Sequence, residues 1–423
     1  MRGPERGAVR HSLHTGSAGA PYRRTLISLA SLDSFPLKGG LFMPRAFAPL
    51  RPPGSQPARV VRPPIQSGRR VLAVSDVHGN LPFLKGALKT AGFTPEDVLV
   101  IVGDLLEKGE ESLATLRYVM ELQRTHTVYM VGGNCDYIDQ CFLSGPGLDE
   151  KLWPVLHQFW TERSVLIQMA MEIGAVPQRL EELPALRSAL LERFPAETGF
   201  LLNMPHILEA GNFLFVHGGV PREDRLEELE AYDCMKNDDF RGQGHSFQKW
   251  VVVGHWPVTL YNTHIQRSAP LIDYDRHIAS IDGGCVLKVD GQLNVLVIPD
   301  ICGDKLNYTW YDGLPTATAL DPQEASTDPV NIRWSDSVVE VLREEGDCVL
   351  IHHPTSGREL WLPADFIQRR RDGRTHTEDA TDYRLPVIPG DTLSLVRQTQ
   401  RGCLVKKGGI TGWYHGRIKY DLE

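Results

Sequence analysis

Residues 71–80 read VLAVSDVHGN, an apolar, β-branched run that stops at Asp76-Val77-His78 with Gly79-Asn80 behind it. Such a run is a buried strand. Polar groups pushed out at its carboxyl end, followed by a tight Gly turn, are how an α/β sheet presents a ligand site. The pattern recurs: VLVIVGDLLEKG carries Asp104, TVYMVGGNCD carries Asn134 and Asp136, FLFVHGG carries His217 and WVVVGHWP carries His255. Five strand ends that each deliver a ligand-type side chain describe one site.

The chemistry of that set is narrow. Asp76, His78, Asp104, Asn134, His217 and His255 offer two carboxylates, one amide oxygen and three imidazoles. Mixed nitrogen and oxygen donors suit manganese, iron, zinc or nickel better than calcium or magnesium. Six ligands exceed what one catalytic ion needs with positions left open. Two divalent ions sharing a bridging carboxylate, manganese first among the candidates, is the economical reading. Such a pair clamps the oxygens of an in-line displacement, so the reaction class is hydrolysis of a phosphate ester.

Around this centre the chain of 423 residues is long enough for two or three domains. Residues 1–70 hold 12 Lys/Arg against two acids, and the remainder holds 33 against 51. An acidic body repels phosphate backbones, so nucleic acid is not an expected partner. Seven scattered cysteines without a CxxC pair read as reduced thiols and a cytoplasmic protein. No apolar run is long enough to span a bilayer, and no membrane partner is expected. Arg23-Arg24 before TLISLASL is only a weak likeness to an export signal, because Asp33 closes the short apolar core.

Residues 1–68 are rich in Pro, Gly, Ser and Arg without periodicity and are expected to be a disordered basic segment, within which Met43 is an alternative first residue. A main domain is expected over 69–311. LPFLKGALKTAGF and ESLATLRYVMELQRT have helical spacing between the first three strands, with Asn80 as a cap and Gly92 as a stop. Alternating β and α units imply an α/β fold with helices on both faces of a sheet. A helical insert over about 146–205 lies between two ligand-bearing strands and is expected to cover the mouth of the site. HIASIDGGCVLKVDGQLNVLVI reads as a two-strand ribbon turning at Asp290-Gly291. Residues 312–330 read as a linker, and 331–423 as short strands with turns, a small β-barrel pattern. His352-His353 reads as a pair of surface histidines. PGDTLSLV and GITGWYHGRI resemble SH3-like barrels, which implies a protein or peptide ligand there.

The order of the site motifs resembles that of the calcineurin-like metallophosphoesterases: D-x-H, G-D-x-x-D, G-N-H-D/E, then H and G-H. The chain has Asp76-Val77-His78, Gly103-Asp104-Leu105-Leu106-Glu107, Gly133-Asn134-Cys135-Asp136, His217-Gly218-Gly219 and Gly254-His255. GDLLEKG, FVHGGV, GHWPV and SIDGGC look closest to the Ser/Thr phosphoprotein phosphatase branch, which includes symmetrical diadenosine tetraphosphatases. The resemblance covers about residues 70–298. It implies a sandwich of β-sheets flanked by helices and a phosphorylated protein or small-molecule substrate. It also implies that Asp76 and His78 hold one ion, that Asp104 bridges, and that Asn134, His217 and His255 hold the other.

Three residues depart from the family pattern. Cys135 stands where the family has its catalytic His, Glu107 where an Asp orients that His, and Lys108 where an Arg contacts phosphate. Together with Asp136 these are the catalytic candidates. Lys108, Asn134, Arg222 and Arg241 are the phosphate-contact candidates, the two arginines (like Asn237) from position alone. A thiol with a pKa of about 8.5 is a poorer general acid than an imidazolium. Losing such an acid typically costs on the order of a hundred- to ten-thousand-fold, mostly on poor leaving groups such as phosphoserine. A nucleophilic Cys135 is the sharper alternative, disfavoured because a metal-bound hydroxide already supplies the nucleophile. The reading preferred from the sequence is a phosphomonoesterase of the Ser/Thr phosphatase kind; the alternatives are a phosphodiesterase or dinucleoside polyphosphate hydrolase on the same metal centre, and a catalytically impaired phosphate-binding protein acting through its barrel.

Overall fold

The computed structural model describes residues 56–157, 161–370 and 372–420. Its strands in the first three quarters of the chain are β1 (Val60–Val61), β2 (Val71–Val74), β3 (Val98–Val102), β4 (Thr127–Val131), β5 (Ile207–Ala210), β6 (Phe213–Val216), β7 (Trp250–Val253), β8 (Leu271–Asp273), β9 (Ile278–Ser280), β10 (Leu293–Ile298) and β11 (Asn307–Tyr311). They form two sheets, one ordered β11-β10-β2-β3-β4 and the other β1-β5-β6-β7-β9-β8. Within the first, β2, β3 and β4 run parallel, and within the second so do β6, β7 and β9.

The two-residue period of a strand explains the layering. Val98, Val100 and Val102 of β3 pack with Val71 and Ala73 of β2 against Phe213, Phe215, Trp250 and Val252 of the other sheet. The intervening Leu72, Val74, Leu99 and Ile101 face helices α1 (Leu81–Thr90) and α2 (Ser112–Thr125). On the far side Leu214, Val216, Val251 and Val253 lie under Leu226, Cys234 and Phe240. Strands so buried on both faces carry no polar alternation, which is why they read as continuous apolar runs. The result is the expected α/β sandwich of sheets flanked by helices. Asn80 caps α1, its side chain accepting from Phe83 N at 3.3 Å, and Gly92 follows the helix at φ 59°.

Between β4 and β5 the chain is helical: α3 (Asn134–Ser144), α4 (Asp149–Val155), α5 (Val165–Glu172), α6 (Leu183–Arg193) and α7 (Pro195–Leu202). The last three contribute Val165, Leu166, Met169, Leu186, Leu190 and Leu201 to the core over the first sheet. A short α8 (Ala231–Met235) follows β6.

Several local expectations need correction. Residues 278–298 are not a ribbon, because β9 joins the second sheet and β10 pairs antiparallel with β2 in the first. The segment between them crosses the sandwich, with Lys288 O accepting from Gly291 N at the Asp290-Gly291 turn. Of the basic N-terminal segment, residues 1–55 lie outside the described residues. Residues 57–61, expected to be disordered, are packed: Ala58 is buried, and Val60 and Val61 pair in parallel with Ile207 and Leu208. An edge strand of the second sheet supplies the backbone partners that the segment's own sequence lacks.

The C-terminal strands are β12 (Thr316–Ala319), β13 (Asn331–Ile332), β14 (Glu340–Glu345), β15 (Cys348–His353), β16 (Arg358–Pro363), β17 (Ile367–Arg369), β18 (Thr375–Thr377), β19 (Ala380–Thr381), β20 (Thr392–Thr399), β21 (Gly402–Lys407), β22 (Ile410–Tyr414) and β23 (Ile418–Tyr420). Among the described residues they make four sheets: β22-β21-β20-β12-β23, β14-β15-β16, β13-β19 and β17-β18. The largest is open, with β22 and β23 at its edges, so a single closed barrel is not seen. The expected linker contributes β12 to this sheet, paired on both sides. Of the two adjacent histidines, His352 is half-buried and His353 is buried between Ser356 Oγ and Asp336 O, so neither is freely exposed. These strands are fastened to the sandwich by buried charge. Lys406, 2% exposed, donates to Asp290 O and Gln292 Oε1 and lies 3.3 Å from Asp312 Oδ2, while Lys288 pairs with Asp379 at 2.7 Å.

Candidate metal centre

The parallel strands of both sheets point their carboxyl ends at one rim. Asp76, Asp104 and Asn134 follow β2, β3 and β4, and His217 and His255 follow β6 and β7. The chain turns sharply there. Asp76, His78, Asp104, Glu107, Lys108 and His255 all have φ between 47° and 69°, a left-handed conformation that non-Gly residues adopt at a cost. Backbone bonds across the rim hold them: Asp76 N donates to Gly103 O at 3.0 Å, His78 N to Asp104 O at 3.0 Å, and Gly254 N to His217 O at 2.9 Å.

Asp104 is the centre of the cluster. Its Oδ1 lies 3.4 Å from His217 Nε2 and its Oδ2 3.7 Å from His78 Nε2. Asp76 Oδ1 lies 3.8 Å from His78 Nε2 and 4.0 Å from His217 Nε2. The opposite ring nitrogens are tied back, His217 Nδ1 to Val102 O at 2.9 Å and His78 Nδ1 to Leu106 O at 3.3 Å. This fixes each ring with Nε2 toward the carboxylates. Close packing demands glycine beside them: a Cβ on Gly133 would collide with the Asp104 carboxylate, and one on Gly254 with that of Asp76.

The remaining residues fall into two groups. Asn134 and Cys135 open α3, and Cys135 N donates to Asp104 Oδ1 at 2.9 Å. His255 stands with its ring 5.2 Å from that of His217, its amide on Asp76 Oδ2 at 3.0 Å and its Nε2 on Asp238 Oδ1 at 2.8 Å. Asp136 and Glu107 are turned to structural partners. Asp136 accepts from Gly133 N, Leu105 N and Leu106 N, and Glu107 Oε1 accepts from Val165 N at 2.7 Å at the start of α5. Arg222 is engaged with Asp224 O and Glu228, and Arg241 with Asp273; among the described residues no hydrogen bond or ion pair joins either to the cluster.

Two carboxylates escaped the sequence reading. Asp282 is fully buried, caps Gly284 N at 2.8 Å and faces Asp76 electrostatically. The SIDGGC run in which it lies was visible, but its strand end had no ligand of the expected spacing. Asp238 sits in a loop without a motif, and only folding shows it behind His255.

Buried charges of both signs are concentrated here. Burial pushes the Asp76 carboxyl well up, and Asp282 adds to it. Burial holds His78 down to about 3, helped by the Lys108 ammonium, and His255 down to about 4. Burial also works against protonation of His217, yet the Asp104 and Asp76 carboxylates outweigh it and raise the imidazole to about 10. Burial disfavours the Asp104 carboxylate, but His217 holds it well below its ordinary range.

The fit to cations is tested by the orphans. His78 Nε2, His217 Nε2, Asn134 Oδ1 and Asp282 Oδ2 are buried with no hydrogen-bond partner. Folded proteins rarely leave such atoms unpaired. Two compact groups of donors, Asp76–Asp104–His217 and His78–Asp104–Cys135, each lie within 4.8 Å and share Asp104. Nitrogen and oxygen atoms so placed fit divalent transition ions.

Comparison with known proteins agrees with this geometry. The profile of a family described as calcineurin-like phosphoesterase matches residues 69–280. A protein of Photobacterium profundum named bis(5'-nucleosyl)-tetraphosphatase, symmetrical, is 44% identical over 180 residues, covering 40% of this chain and 52% of that protein. Its namesake in Pectobacterium atrosepticum is 47% identical over 64 residues, 15% of this chain and 22% of that protein. Shewanella-like protein phosphatase 2 of Arabidopsis thaliana is 24% identical over 239 residues, 49% of this chain and 58% of that protein. The chain thus spans less than two thirds of the length of these relatives. No helix among the described residues is long and apolar enough to cross a membrane.

Proposed function

As this chain belongs to the calcineurin-like phosphoesterase family, we propose that it is a dinuclear-metal phosphohydrolase favouring substrates with good leaving groups, phosphoric anhydrides of the dinucleoside polyphosphate kind above all. The single observation behind the substrate preference is the group beside Asp104, a buried thiol at Cys135. Burial pushes that thiol up, and the Asp104 carboxylate raises it further. General acids work best with a pKa near the operating pH, so Cys135 protonates a departing alkoxide poorly. An anhydride needs no such proton, because phosphate leaves as a stable anion.

Asp76, His78, Asp104, Asn134, His217 and His255 would hold two divalent ions. When bound, these supply Lewis acidity and a water of lowered pKa. The chain's own residues do the rest. Asp104 presents one oxygen to each side of the cluster, toward His217 and toward His78. Val102 O and Leu106 O fix the two imidazoles so that Nε2 stays a free donor. Asp136 pins the Leu105 and Leu106 amides, and with them the turn that carries Asp104. Lys108, buried beside Asp104 and Cys135, offers a compact positive charge for phosphate oxygens without the two-pronged grip of Arg. The names of the Photobacterium and Pectobacterium relatives support the same substrate class.

A second reading, phosphomonoester hydrolysis on phosphoproteins, is favoured by the GHWPV and SIDGGC runs and by the Arabidopsis relative. One panel separates the two: manganese-supported turnover of diadenosine tetraphosphate, an aryl phosphate, an aryl phosphodiester and a phosphoserine peptide on one sample of measured metal content. The anhydride reading expects diadenosine tetraphosphate to be turned over fastest and the phosphoserine peptide slowest. Equal or faster turnover of the phosphopeptide sinks it, and no turnover with ions bound favours a phosphate-binding role.

A further inference from the structure

We propose that Cys135 is itself a metal ligand, its sulfur completing a His78–Asp104–Cys135 set beside the Asp76–Asp104–His217 set, so that one ion has a mixed nitrogen, oxygen and sulfur shell. The inference rests on the metal-centre reading above and sharpens it.

Three observations carry it. Cys135 Sγ, a His78 ring nitrogen and an Asp104 carboxylate oxygen lie within 4.8 Å of one another, all buried. That is the span of ligand atoms around a single ion with metal–sulfur distances of about 2.3 Å and metal–nitrogen distances of about 2.0–2.1 Å. Second, His78 is 1% exposed and its Nε2 has no partner, while its Nδ1 is taken by Leu106 O. The free nitrogen is therefore the one beside Asp104. Third, the sulfur is held in place by its own backbone. Cys135 N bonds Asp104 Oδ1 at 2.9 Å, so the first turn of α3 and the Asp104 carboxylate cannot move apart independently.

Asn134 Nδ2 donates to the sulfur at 3.5 Å, and the Lys108 ammonium faces it electrostatically. On coordination the S–H bond breaks, its proton passes to solvent and an S–metal bond forms, with no change of oxidation state. A sulfur donor moves selectivity away from magnesium and manganese and toward zinc, iron or cobalt.

Spectroscopy tests this without turnover. Metal-freed protein is titrated with cobalt(II), and zinc-loaded protein is examined by X-ray absorption. Expected are a near-ultraviolet sulfur-to-cobalt charge-transfer band and a sulfur shell at about 2.3 Å, both retained in Cys302→Ser, which removes an exposed thiol. Both are lost in Cys135→Ser, with zinc affinity lower by at least about tenfold, the lower end of the cost typical for losing an outer-shell partner. Stoichiometric cobalt uptake without the band, or a band that survives in Cys135→Ser, overturns the ligand assignment and leaves the metal centre standing. Absence of ion uptake overturns both. Should Cys135→Ser fail to fold, the presence or absence of the sulfur shell in the unaltered protein decides alone.

Discussion

Asp238 Oδ1 lies 2.8 Å from His255 Nε2, and the same oxygen takes Lys236 Nζ at 2.7 Å. A ring nitrogen so occupied leaves Nδ1 as the atom of His255 free to meet an ion. Outer-shell carboxylates of this kind orient a ligand and raise its basicity, and their loss typically lowers metal affinity by about 10- to 100-fold. Asp238→Asn is therefore expected to weaken binding of the second ion by that order while activity at saturating metal recovers. Calorimetric titration of the metal-free protein checks it; an unchanged affinity would show that His255 does not ligate.

Gly133 is required by contact rather than by its backbone angle, since its φ of −97° is open to any residue. A Cβ there collides with the Asp104 carboxylate. Gly133→Ala is expected to displace Asp104, abolish uptake of both ions and leave the far-ultraviolet spectrum intact. Metal content of the purified variant, beside its melting curve, is the measurement.

Arg222 gives the opposite expectation. Its guanidinium is spent on Asp224 O and Glu228. Arg222→Ala should leave KM for every phosphorylated substrate unchanged, and a clear rise in KM would return it to the phosphate site.

The pH dependence of stability should be felt at His206, a buried imidazole that accepts from Arg59 N at 2.9 Å and whose Nε2 has no partner. Burial, and then the Arg59 guanidinium, hold it down to about 4. The unfolded chain binds this proton near pH 6.5 and the folded one only near 4. Stability is thus complete above about 6.5 and lost as pH falls toward 4, by up to about 3 kcal/mol. His206→Gln should flatten the fall in urea midpoint between pH 7 and 4.5, and an unaltered slope would refute the assignment.

Lys406 ties the C-terminal strands to the sandwich through Asp290 O, Gln292 and Asp312. Removing one partner of a buried pair typically costs about 3–5 kcal/mol. Lys406→Met is expected to destabilise by that order, and the unaltered protein to unfold in one transition. Two well-separated transitions in the unaltered protein would show that the C-terminal strands are an independent unit.

What the sequence alone determined was the order of the strand ends at the candidate site: five apolar runs, each closed by an Asp, Asn or His, because buried strands and their exits are written in local periodicity. The Asn80 cap and the helices after β2 and β3 were legible for the same local reason. Folding alone decided which strands share a sheet, and so separated β9 from β10 and brought Asp282 and Asp238 to the rim. It also decided where side chains of known type point. Asp136 and Glu107 stand beside candidate ligand positions in sequence, yet Asp136 accepts from the Gly133 amide and Glu107, in a left-handed turn, accepts from that of Val165. The approach of Cys135 to His78 belongs to the same class. It depends on an α3 amide meeting Asp104 across the sheet, and contacts between segments so far apart leave no periodic trace in the chain.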